Sequence, residues 1–334
     1  MNILIVGGTR NMGYYATRHF YDAGHTITLL NRGMSHDELP ADIERLRADR
    51  TDADAMREAL RGRTFDVVID MVLYTGDEAQ TMVELLHGNV GHYIFISTGQ
   101  VYLVRKGLQR PYSEADYEGA VTAEPDANSY DHPEWLYGYD KRQAEDMFAQ
   151  AWHEKQFPYT SLRLPMVNSE RDPFSRLFTY ILRINDGGPI LIPETPDFPL
   201  RHVYGRDVVQ AIQRAIDKGA SRGEAYNISQ DETVSIDEFL AIVGESLGRE
   251  PRLLRVARDV LDANGFLPGC SPFSERWMSE LTNERSKTEL GMTYTPLREY
   301  LPRIVAHYQR NPPHPPASYS RRRAEQSFAA QLEK

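Results

Sequence analysis

A tyrosine and a lysine stand four residues apart at the start of a predicted helix, at Tyr137 and Lys141. Side chains at positions i and i+4 of a helix project from one face, one turn apart. An ammonium group beside a phenol lowers the pKa of the phenol, which can then exchange a proton near neutral pH. The pair therefore predicts acid–base chemistry, although Tyr-x-x-x-Lys is common by chance and needs support from its surroundings.

Hydroxyl side chains end the strand that precedes this helix. The apolar run from His92 to Thr98 predicts a strand whose last two residues are Ser97 and Thr98. In open parallel sheets, ligands bind beyond the carboxyl ends of the strands. A Ser-Thr strand end followed some forty residues later by Tyr137 is much more specific than the tyrosine–lysine spacing alone.

A glycine-rich turn opens the chain. An apolar run over residues 2–6 leads into this turn, a helix follows to Gly24, and a second apolar run covers residues 26–30. This order is typical of a dinucleotide-binding βαβ unit, in which backbone and helix N-terminus approach a pyrophosphate. The alternative is a plain strand–turn–helix without a ligand, since Arg10 replaces the middle glycine of G-x-x-G-x-x-G. The residues assigned to the turn are Gly7, Gly8, Thr9, Arg10, Asn11, Met12 and Gly13.

The ends of the next strands predict the identity of the cofactor. A carboxylate after the second strand would bind the ribose hydroxyl of NAD, whereas a basic residue suits the 2′-phosphate of NADP. The chain has Asn31 and Arg32 there and no acid, which favours NADP, with NAD as the alternative. Residues at the ends of the third and fourth predicted strands complete the expected cofactor site. They are Asp49, Arg50, Met71 and Val72.

Strands and helices alternate through the first 160 residues. The predicted strands after the first two are residues 45–49, 65–71 and 92–98, and amphipathic segments separate them. These strands are apolar on both faces, which indicates a parallel sheet covered by helices on both sides. The sequence therefore predicts an α/β fold, a Rossmann-type doubly wound parallel sheet with a smaller C-terminal substrate domain.

Composition restricts the classes of partner. The 334 residues include 38 basic and 48 acidic side chains, a formal charge of −10, so we expect no nucleic acid or anionic membrane as partner. Cys270 is the single cysteine, which excludes an internal disulfide and a multi-cysteine metal site, and no metal is predicted. With no predicted leader and no apolar run near ~18 residues, we expect a soluble, cytoplasmic protein.

These motifs together resemble an extended short-chain dehydrogenase/reductase of the NAD-dependent epimerase/dehydratase family, over nearly the whole chain to about residue 310. Gly-Gly-Thr-Arg and Asn-Arg-Gly resemble the branch that includes the chloroplast stem-loop-binding proteins, where arginine also replaces the middle glycine. The residues that carry the likeness are the glycine turn, Ser97, Thr98, Val101, Tyr102, Tyr137, Lys141, Arg163, Leu164, Pro165 and the segment 203–207.

The resemblance implies roles for individual residues. Tyr137 corresponds to the proton donor or acceptor, and Lys141 to the group that modulates it and contacts the cofactor ribose. Thr98 matches the hydroxyl that hydrogen-bonds the reacting oxygen, and Ser97 is its neighbour in the cofactor site. Pro165 and Met166 match the stretch that lines the nicotinamide. Met71 and Val72 replace the His-x-Ala-Ala-like segment of the family, a departure near the ribose.

We expect three regions along the chain. Residues 1–165, joined by 202–230, form the NAD(P)-binding Rossmann domain, and residues 166–201 and 231–310 form the substrate domain. Residues 311–334 form an extended basic tail, which frays by default, folds back, or wraps a second subunit of a homodimer. The stretch 111–134 carries seven acids and no Lys or Arg, and is either a solvated loop or a mobile cover over a small-molecule substrate.

Three functions are compatible with these motifs. The favoured one is an NADP-dependent oxidoreductase acting on a ketone or secondary alcohol. A sugar or nucleotide-sugar epimerase, in which the hydride returns, is the alternative, and a dehydratase is disfavoured because Gly99 and Gln100 replace an acidic pair. An RNA-binding protein on the same fold is a third. Family members that act on nucleotide sugars usually carry an asparagine and an arginine that serve the diphosphate. The resemblance places Met166 at the asparagine position and Arg201 one position away from the arginine, which favours a small, non-nucleotide substrate.

Overall fold

The structure, a computed structural model, describes residues 1–333. The strands are β1 (Asn2–Val6), β2 (Thr26–Asn31), β3 (Glu44–Arg47), β4 (Phe65–Asp70), β5 (Val90–Thr98), β6 (Tyr159–Leu164), β7 (Val167–Asn168), β8 (Ile190–Pro193), β9 (Val203–Tyr204), β10 (Glu224–Asn227) and β11 (Leu253–Val256). The helices are α1 (Asn11–Asp22), α2 (Ala53–Leu60), α3 (Gly76–Leu86), α4 (Gln100–Leu103), α5 (Asp131–Lys155), α6 (Arg176–Asp186), α7 (Gly205–Asp217), α8 (Ile236–Leu247), α9 (Arg258–Ala263), α10 (Leu297–Arg310) and α11 (Arg322–Leu332).

The chain divides into two units, each assembled from separated segments. Unit 1 consists of Met1–Pro165, Gly205–Ser229 and Leu281–Thr293. Unit 2 consists of Met166–Tyr204, Gln230–Glu280 and the chain from Tyr294 onward.

Unit 1 contains a seven-stranded sheet in the order β3-β2-β1-β4-β5-β6-β10, and every neighbouring pair is parallel. The direction of winding reverses between β1 and β4, where Ile3 pairs with Ile27 on one side and Val67 on the other. Carboxyl ends of strands flank a crevice at such a reversal. The predicted Rossmann-type doubly wound sheet is confirmed.

Helices cover both faces of this sheet. On one side α3 packs against α5, and on the other α1 packs against α7. The face under α2, α3 and α5 forms a continuous apolar core that includes Leu4, Val68, Phe95 and Phe148, all fully buried. Burying a large apolar side chain contributes about 1.5–3 kcal/mol, so this core fixes the strand ends that carry the candidate site.

Side chains and a glycine cap two of the helices. The Asp52 carboxylate accepts hydrogen bonds from the backbone N–H groups of Asp54 (3.1 Å) and Ala55 (3.0 Å) at the start of α2. The Ser235 hydroxyl accepts from the N–H of Glu238 (3.1 Å) at the start of α8, and Gly248, whose φ of +66° is in the left-handed region, caps the end of α8. Such caps stabilise a helix by roughly 1 kcal/mol each.

Unit 2 is organised around α6, α8 and α10. The helices bury apolar side chains against one another, including Phe178, Tyr180, Phe239, Leu240 and Tyr300. Two short parallel pairs, β8 with β11 and β7 with β9, complete the unit.

Residues 281–293 differ from the predicted domain division. The sequence assigned them to the substrate domain, whereas the structure places them in unit 1. Leu281 is buried beside Tyr102 and Tyr112, and the Asn283 side-chain amide donates to the Ser229 carbonyl oxygen at 2.8 Å. A π-helical turn over Ser286–Leu290 follows. These contacts join residues far apart in sequence and leave no local pattern.

The prediction of an extended basic tail is wrong, because much of the tail is helical. Residues 322–332 form α11, and Arg322 and Glu325 in it are buried. The Arg322 guanidinium contacts Asp186 at 2.7 Å, while Glu325 pairs with the fully buried Arg183 at 2.5 Å. The tail therefore folds back onto α6 of its own unit, because one ion pair joins Arg322 to Asp186 and another joins Glu325 to Arg183.

Candidate active site

The turn between β1 and α1 brings backbone and helix terminus together. Gly7 has φ +82°, a conformation that favours glycine, and a Cβ there would lie 2.6 Å from the Val72 side chain. A Cβ on Gly13 would lie 2.9 Å from the Gly7 carbonyl oxygen, so α1 begins in close contact with the turn. Met71 and Val72, expected at the cofactor site, thus follow β4 directly against this turn.

The start of α1 suits an anion. Its N-cap is Arg10, which has φ −134°, an extended conformation open to any residue, and this explains why the middle glycine is dispensable. Asn11 takes the left-handed conformation, with φ +47°. The first turn contains no acid, so the positive end of the helix dipole is not offset locally. The glycines and this helix end fit the pyrophosphate of a dinucleotide.

Two arginines lie at the ends of β2 and β3. The Arg32 side chain is 66% exposed, with its guanidinium 3.7 Å from the Asp49 carboxylate. Asn31 and Arg47 are register partners on the two strands, and the Asn31 side-chain oxygen accepts from Arg47 and from the N–H of Gly33. Arg47 was missed by the sequence analysis, because only the pairing of β2 with β3 brings it to Asn31.

Arg50 has partners within the protein. Its guanidinium lies 2.5 Å from the Asp70 carboxylate and 3.6 Å from Glu78, and its side chain is 9% exposed. Asp49, in contrast, is partly exposed and accepts a hydrogen bond from the Thr51 backbone N–H at 3.1 Å. The assignment of Asp49 and Arg50 to the cofactor stays a prediction. Arg50 in addition forms ion pairs with carboxylates of the protein itself.

Lys141 is buried on the inner face of α5. Its Nζ donates hydrogen bonds to the carbonyl oxygens of Leu73 (2.5 Å) and Ile96 (2.9 Å). The same nitrogen lies 4.9 Å from the centre of the Tyr74 ring and 5.9 Å from that of Tyr137. Burial lowers the pKa of Lys141 to about 7, so the charge of this group changes near neutral pH.

Tyr137 is partly exposed above Lys141. Its ring centre lies 6.2 Å from that of Tyr74, which follows β4 and is 45% exposed. Gly138 allows α5 to approach α4, since a Cβ there would lie 2.7 Å from the Gln100 carbonyl oxygen. The structure thus brings the predicted Tyr137 and Lys141 together with Tyr74, an aromatic residue that the sequence analysis did not select.

Thr98 ends β5 close to the start of α5. Its hydroxyl oxygen accepts from the Gln100 backbone N–H at 3.3 Å. The Gln100 side-chain amide in turn donates to the Glu134 carboxylate at 2.6 Å. Glu134 lies one helical turn before Tyr137, so a carboxylate stands beside the predicted catalytic residues. Sequence reasoning placed Glu134 only in the acid-rich stretch.

Ser97 points into a buried polar network. Its hydroxyl donates to Glu145 at 2.5 Å, and Glu145 pairs with the guanidinium of Arg163 at 2.6 Å. Arg163 also donates to the Tyr102 hydroxyl at 2.7 Å. Ser97 and Thr98 are successive residues of β5, so their side chains point to opposite faces of the sheet. The side chain of Ser97 therefore belongs to this network, and its contact with the cofactor stays a prediction.

The first part of the acid-rich stretch 111–134 is anchored to other segments of unit 1. The Tyr117 hydroxyl donates to the Asp146 carboxylate at 2.8 Å, and the Arg142 guanidinium lies 3.9 Å from the centre of the Tyr117 ring. Nearer the start of the stretch, Glu114 accepts a hydrogen bond from the backbone N–H of Asn227 at 2.7 Å. These contacts hold its first part in place, which favours a fixed surface segment over a mobile cover.

The remaining predicted residues, Pro165 and Met166, lie where the first segment of unit 1 ends along the chain and unit 2 begins. Pro165 is the last residue of the first segment of unit 1, and Met166 begins unit 2, where its carbonyl oxygen accepts from the Val203 N–H at 3.0 Å. Their contact with the nicotinamide stays a prediction.

Among residues 1–333, no helix is long and apolar enough to cross a membrane, and no three His, Cys, Asp or Glu side chains form a group able to bind a metal ion.

Two relatives share part of this chain. A chloroplast stem-loop binding protein of 41 kDa, form b, from Arabidopsis thaliana is 27% identical over 250 residues, 70% of this chain and 60% of the relative. A 2′-dehydrokanamycin reductase from Streptomyces kanamyceticus is 26% identical over 152 residues, 46% of this chain and 39% of the relative. The chain thus matches less than two thirds of the length of either relative.

The fold has solved counterparts. A UDP-glucose 4-epimerase from Thermotoga maritima, solved with UDP-glucose, superposes with a TM-score of 0.72 at 20% identity, covering 93% of this chain and 99% of that one. The model of the NAD dependent epimerase/dehydratase family matches residues 3–229, which include the glycine turn, Thr98, Tyr137 and Lys141. This chain belongs to the NAD dependent epimerase/dehydratase family.

Proposed function

We propose that the protein is an NADP-dependent oxidoreductase of the extended short-chain type, acting on a ketone or secondary alcohol. The observation that carries this proposal is the placement of Tyr137 above the buried Nζ of Lys141, whose two carbonyl partners hold it in position. When bound, the nicotinamide supplies or accepts the hydride. The turn from Gly7 to Gly13 would hold its pyrophosphate.

The proton in this proposal is moved by the Tyr137 hydroxyl. A positively charged Lys141 favours the phenolate, so Tyr137 can give a proton to a forming alkoxide and take it back in the reverse direction. Thr98 would hydrogen-bond the same substrate oxygen and hold it near Tyr137. The carbonyl oxygens of Leu73 and Ile96 stabilise the ammonium form of Lys141, which burial opposes.

We expect NADP(H) to bind more tightly than NAD(H). Arg32 and Arg47 place two guanidinium groups at the ends of neighbouring strands, where the 2′-phosphate would lie. A charged hydrogen bond contributes about 1.5–3 kcal/mol, or roughly tenfold to a hundredfold in affinity. Calorimetric titration of both cofactors into the wild type, Arg32→Ala and Arg47→Ala checks this, and each substitution should reduce the preference.

Arg18→Ala is the matched control for this titration. Arg18 is in the last two turns of α1 and pairs with Asp22 at 2.8 Å. The end of α1 points away from the carboxyl edge of the sheet, so removing this arginine should leave the ratio of the two affinities unchanged. Equal affinities of the wild type for the two cofactors would contradict the NADP assignment.

We expect the substrate to be a small carbonyl compound without a nucleotide. Met166 occupies the position where an asparagine would serve a diphosphate, and the Arg201 guanidinium donates to the Gln230 carbonyl oxygen at 2.9 Å. One relative is named a 2′-dehydrokanamycin reductase, which supports reduction of a carbonyl group. Oxidation of NADPH with a panel of ketones should identify substrates, with thermal-shift screening of UDP-, GDP- and dTDP-sugars in parallel.

The outcomes of this screen distinguish the candidate functions. Turnover of a ketone with net oxidation of NADPH supports the reductase. Micromolar binding of a nucleotide sugar, with isomerisation and no net change in the cofactor, would instead support an epimerase.

An RNA-binding protein on this fold is the second candidate. It is favoured by the likeness to a protein named for stem-loop binding. The formal charge of −10 works against attraction to a phosphate backbone. Retardation of a stem-loop RNA at physiological salt, without turnover of any carbonyl compound, would favour this candidate over the oxidoreductase.

A further inference from the structure

We propose that Arg50 and Asp70 are positioning residues for Lys141, and that their ion pair holds the backbone oxygen to which Lys141 donates and biases the charge that Lys141 carries. This inference rests on the proposed role of Lys141 as the partner of Tyr137. It gives Arg50 a function that differs from the cofactor contact expected from the sequence.

Asp70 is the centre of a buried polar cluster. It is the last residue of β4, and its side chain is fully buried. The guanidinium of Arg50 reaches both of its carboxylate oxygens, at 2.5 and 3.3 Å, and the Tyr93 hydroxyl donates to it at 2.6 Å. A carboxylate with three donors at these distances is held in one orientation.

The cluster continues into the segment that backs Lys141. The same Asp70 carboxylate accepts from the backbone N–H of Val72 at 3.1 Å, which fixes the chain as it leaves β4. The next residue, Leu73, presents its carbonyl oxygen to Lys141 Nζ at 2.5 Å. The ion pair and the lysine are therefore connected through a single turn of backbone.

The two ends of the ion pair act on Lys141 with opposite signs. Burial lowers the pKa of Lys141 to about 7, the Asp70 carboxylate raises this pKa, and the Arg50 guanidinium lowers it. Two further carboxylates raise it, Glu145 from α5 itself and Glu78 from α3. The other groups that face Nζ are the rings of Tyr74, Phe95 and Tyr137.

Opposite signs make the proposal testable in the full-length protein without substrate or cofactor. The chain contains six lysines, so 13C labelling of lysine at Cε gives few NMR signals, and Lys141→Arg identifies the one of interest. We expect Asp70→Asn to move the titration of Lys141 to lower pH and Arg50→Met to move it to higher pH, each by on the order of one unit.

Two further variants separate charge from structure. Tyr93→Phe removes a hydrogen bond from Asp70 but keeps both charges, so the titration of Lys141 should stay close to that of the wild type. Arg50→Lys keeps the cation and should also stay close, in contrast to Arg50→Met. This last comparison decides the question if Asp70→Asn does not fold.

Removing either partner of a buried ion pair destabilises the protein. A pair with only a structural role would therefore affect both variants in the same way, and would not move the Lys141 titration in opposite directions. Titrations that move in the same direction, or stay unchanged in both Asp70→Asn and Arg50→Met, would overturn the inference. The proposed oxidoreductase fails separately, through absence of turnover in the wild type. If turnover is found, the alkaline limb of kcat/KM should move with the NMR titration.

Discussion

Replacing Tyr137 by phenylalanine is expected to lower turnover about 10²–10⁴-fold, the usual loss when a general acid–base group is removed. The change deletes one hydroxyl group and leaves the ring beside Tyr74 and above Lys141. Cofactor affinity should therefore stay near that of the wild type. Steady-state rates with the best carbonyl substrate, together with calorimetric titration of NADP, measure both quantities.

Tyr139→Phe is the matched control for this experiment. Tyr139 lies two residues farther along α5, where its ring stacks on Trp135 with the centres 4.8 Å apart. It should keep the wild-type rate, because residues i and i+2 of a helix face different directions. If Tyr137→Phe retained more than about a third of the wild-type rate, the assignment of Tyr137 would be wrong.

Replacing Glu145 by alanine is expected to lower the free energy of unfolding by about 3–5 kcal/mol, because a buried guanidinium then loses its counter-ion. Arg163 is 4% exposed and reaches Glu145 through Nε (3.0 Å) and Nη2 (2.6 Å). The substitution also removes the acceptor of the Ser97 hydroxyl. Urea unfolding, followed through tryptophan fluorescence, to which Trp135 and Trp152 of unit 1 and Trp277 of unit 2 contribute, measures the loss.

Glu154→Ala gives the comparison on the same helix. Glu154 is exposed and accepts one hydrogen bond, from Gln150 at 2.8 Å. Surface substitutions of this kind usually change stability by less than about 0.5 kcal/mol. A loss below about 1 kcal/mol for Glu145→Ala would show that Arg163 finds another partner or reaches water, and that the network is not essential to unit 1.

The sheet of unit 1 was predictable because its signals are local. The central strands β1, β2, β4 and β5 are apolar runs bounded by turn residues, as in Phe65–Asp70, where the predicted strand extended one residue too far. Alternation with amphipathic helices then requires parallel pairing, and parallel connections have one hand. The pair Tyr137 and Lys141 was predictable for the same reason, since both residues lie on one turn of α5.

The residues that sequence reasoning missed are brought to the site by pairing of distant segments. Arg47 meets Asn31 through the register of β2 with β3, and Glu134 meets Gln100 through the packing of α5 on α4. Tyr74 reaches Lys141 only because β4 and α5 are neighbours in space. None of these contacts has a spacing rule along the chain, so no sequence pattern indicates them.

The basic tail was mispredicted for a related reason. Pro312 to Pro316 and the three arginines that follow read as an extended, charged end. Helix α11 nevertheless forms, because the buried carboxylate of Glu325 offsets the charges of Arg183 and Arg322. An ion pair between residues 142 positions apart cannot be read from the composition of either segment.

The interrupted make-up of the two units has a consequence for synthesis. A chain that emerges from the ribosome N-terminus first presents β6, with its buried residues Tyr159–Leu164, before its edge partner β10 has been made. An unpaired apolar edge strand is a template for association with other chains. Unit 2 likewise lacks Leu297, Tyr300 and Leu301 from its core until α10 has been translated. Both units therefore become complete only after most of the chain has been synthesised, and until then the β6 edge of the nascent chain has no strand partner.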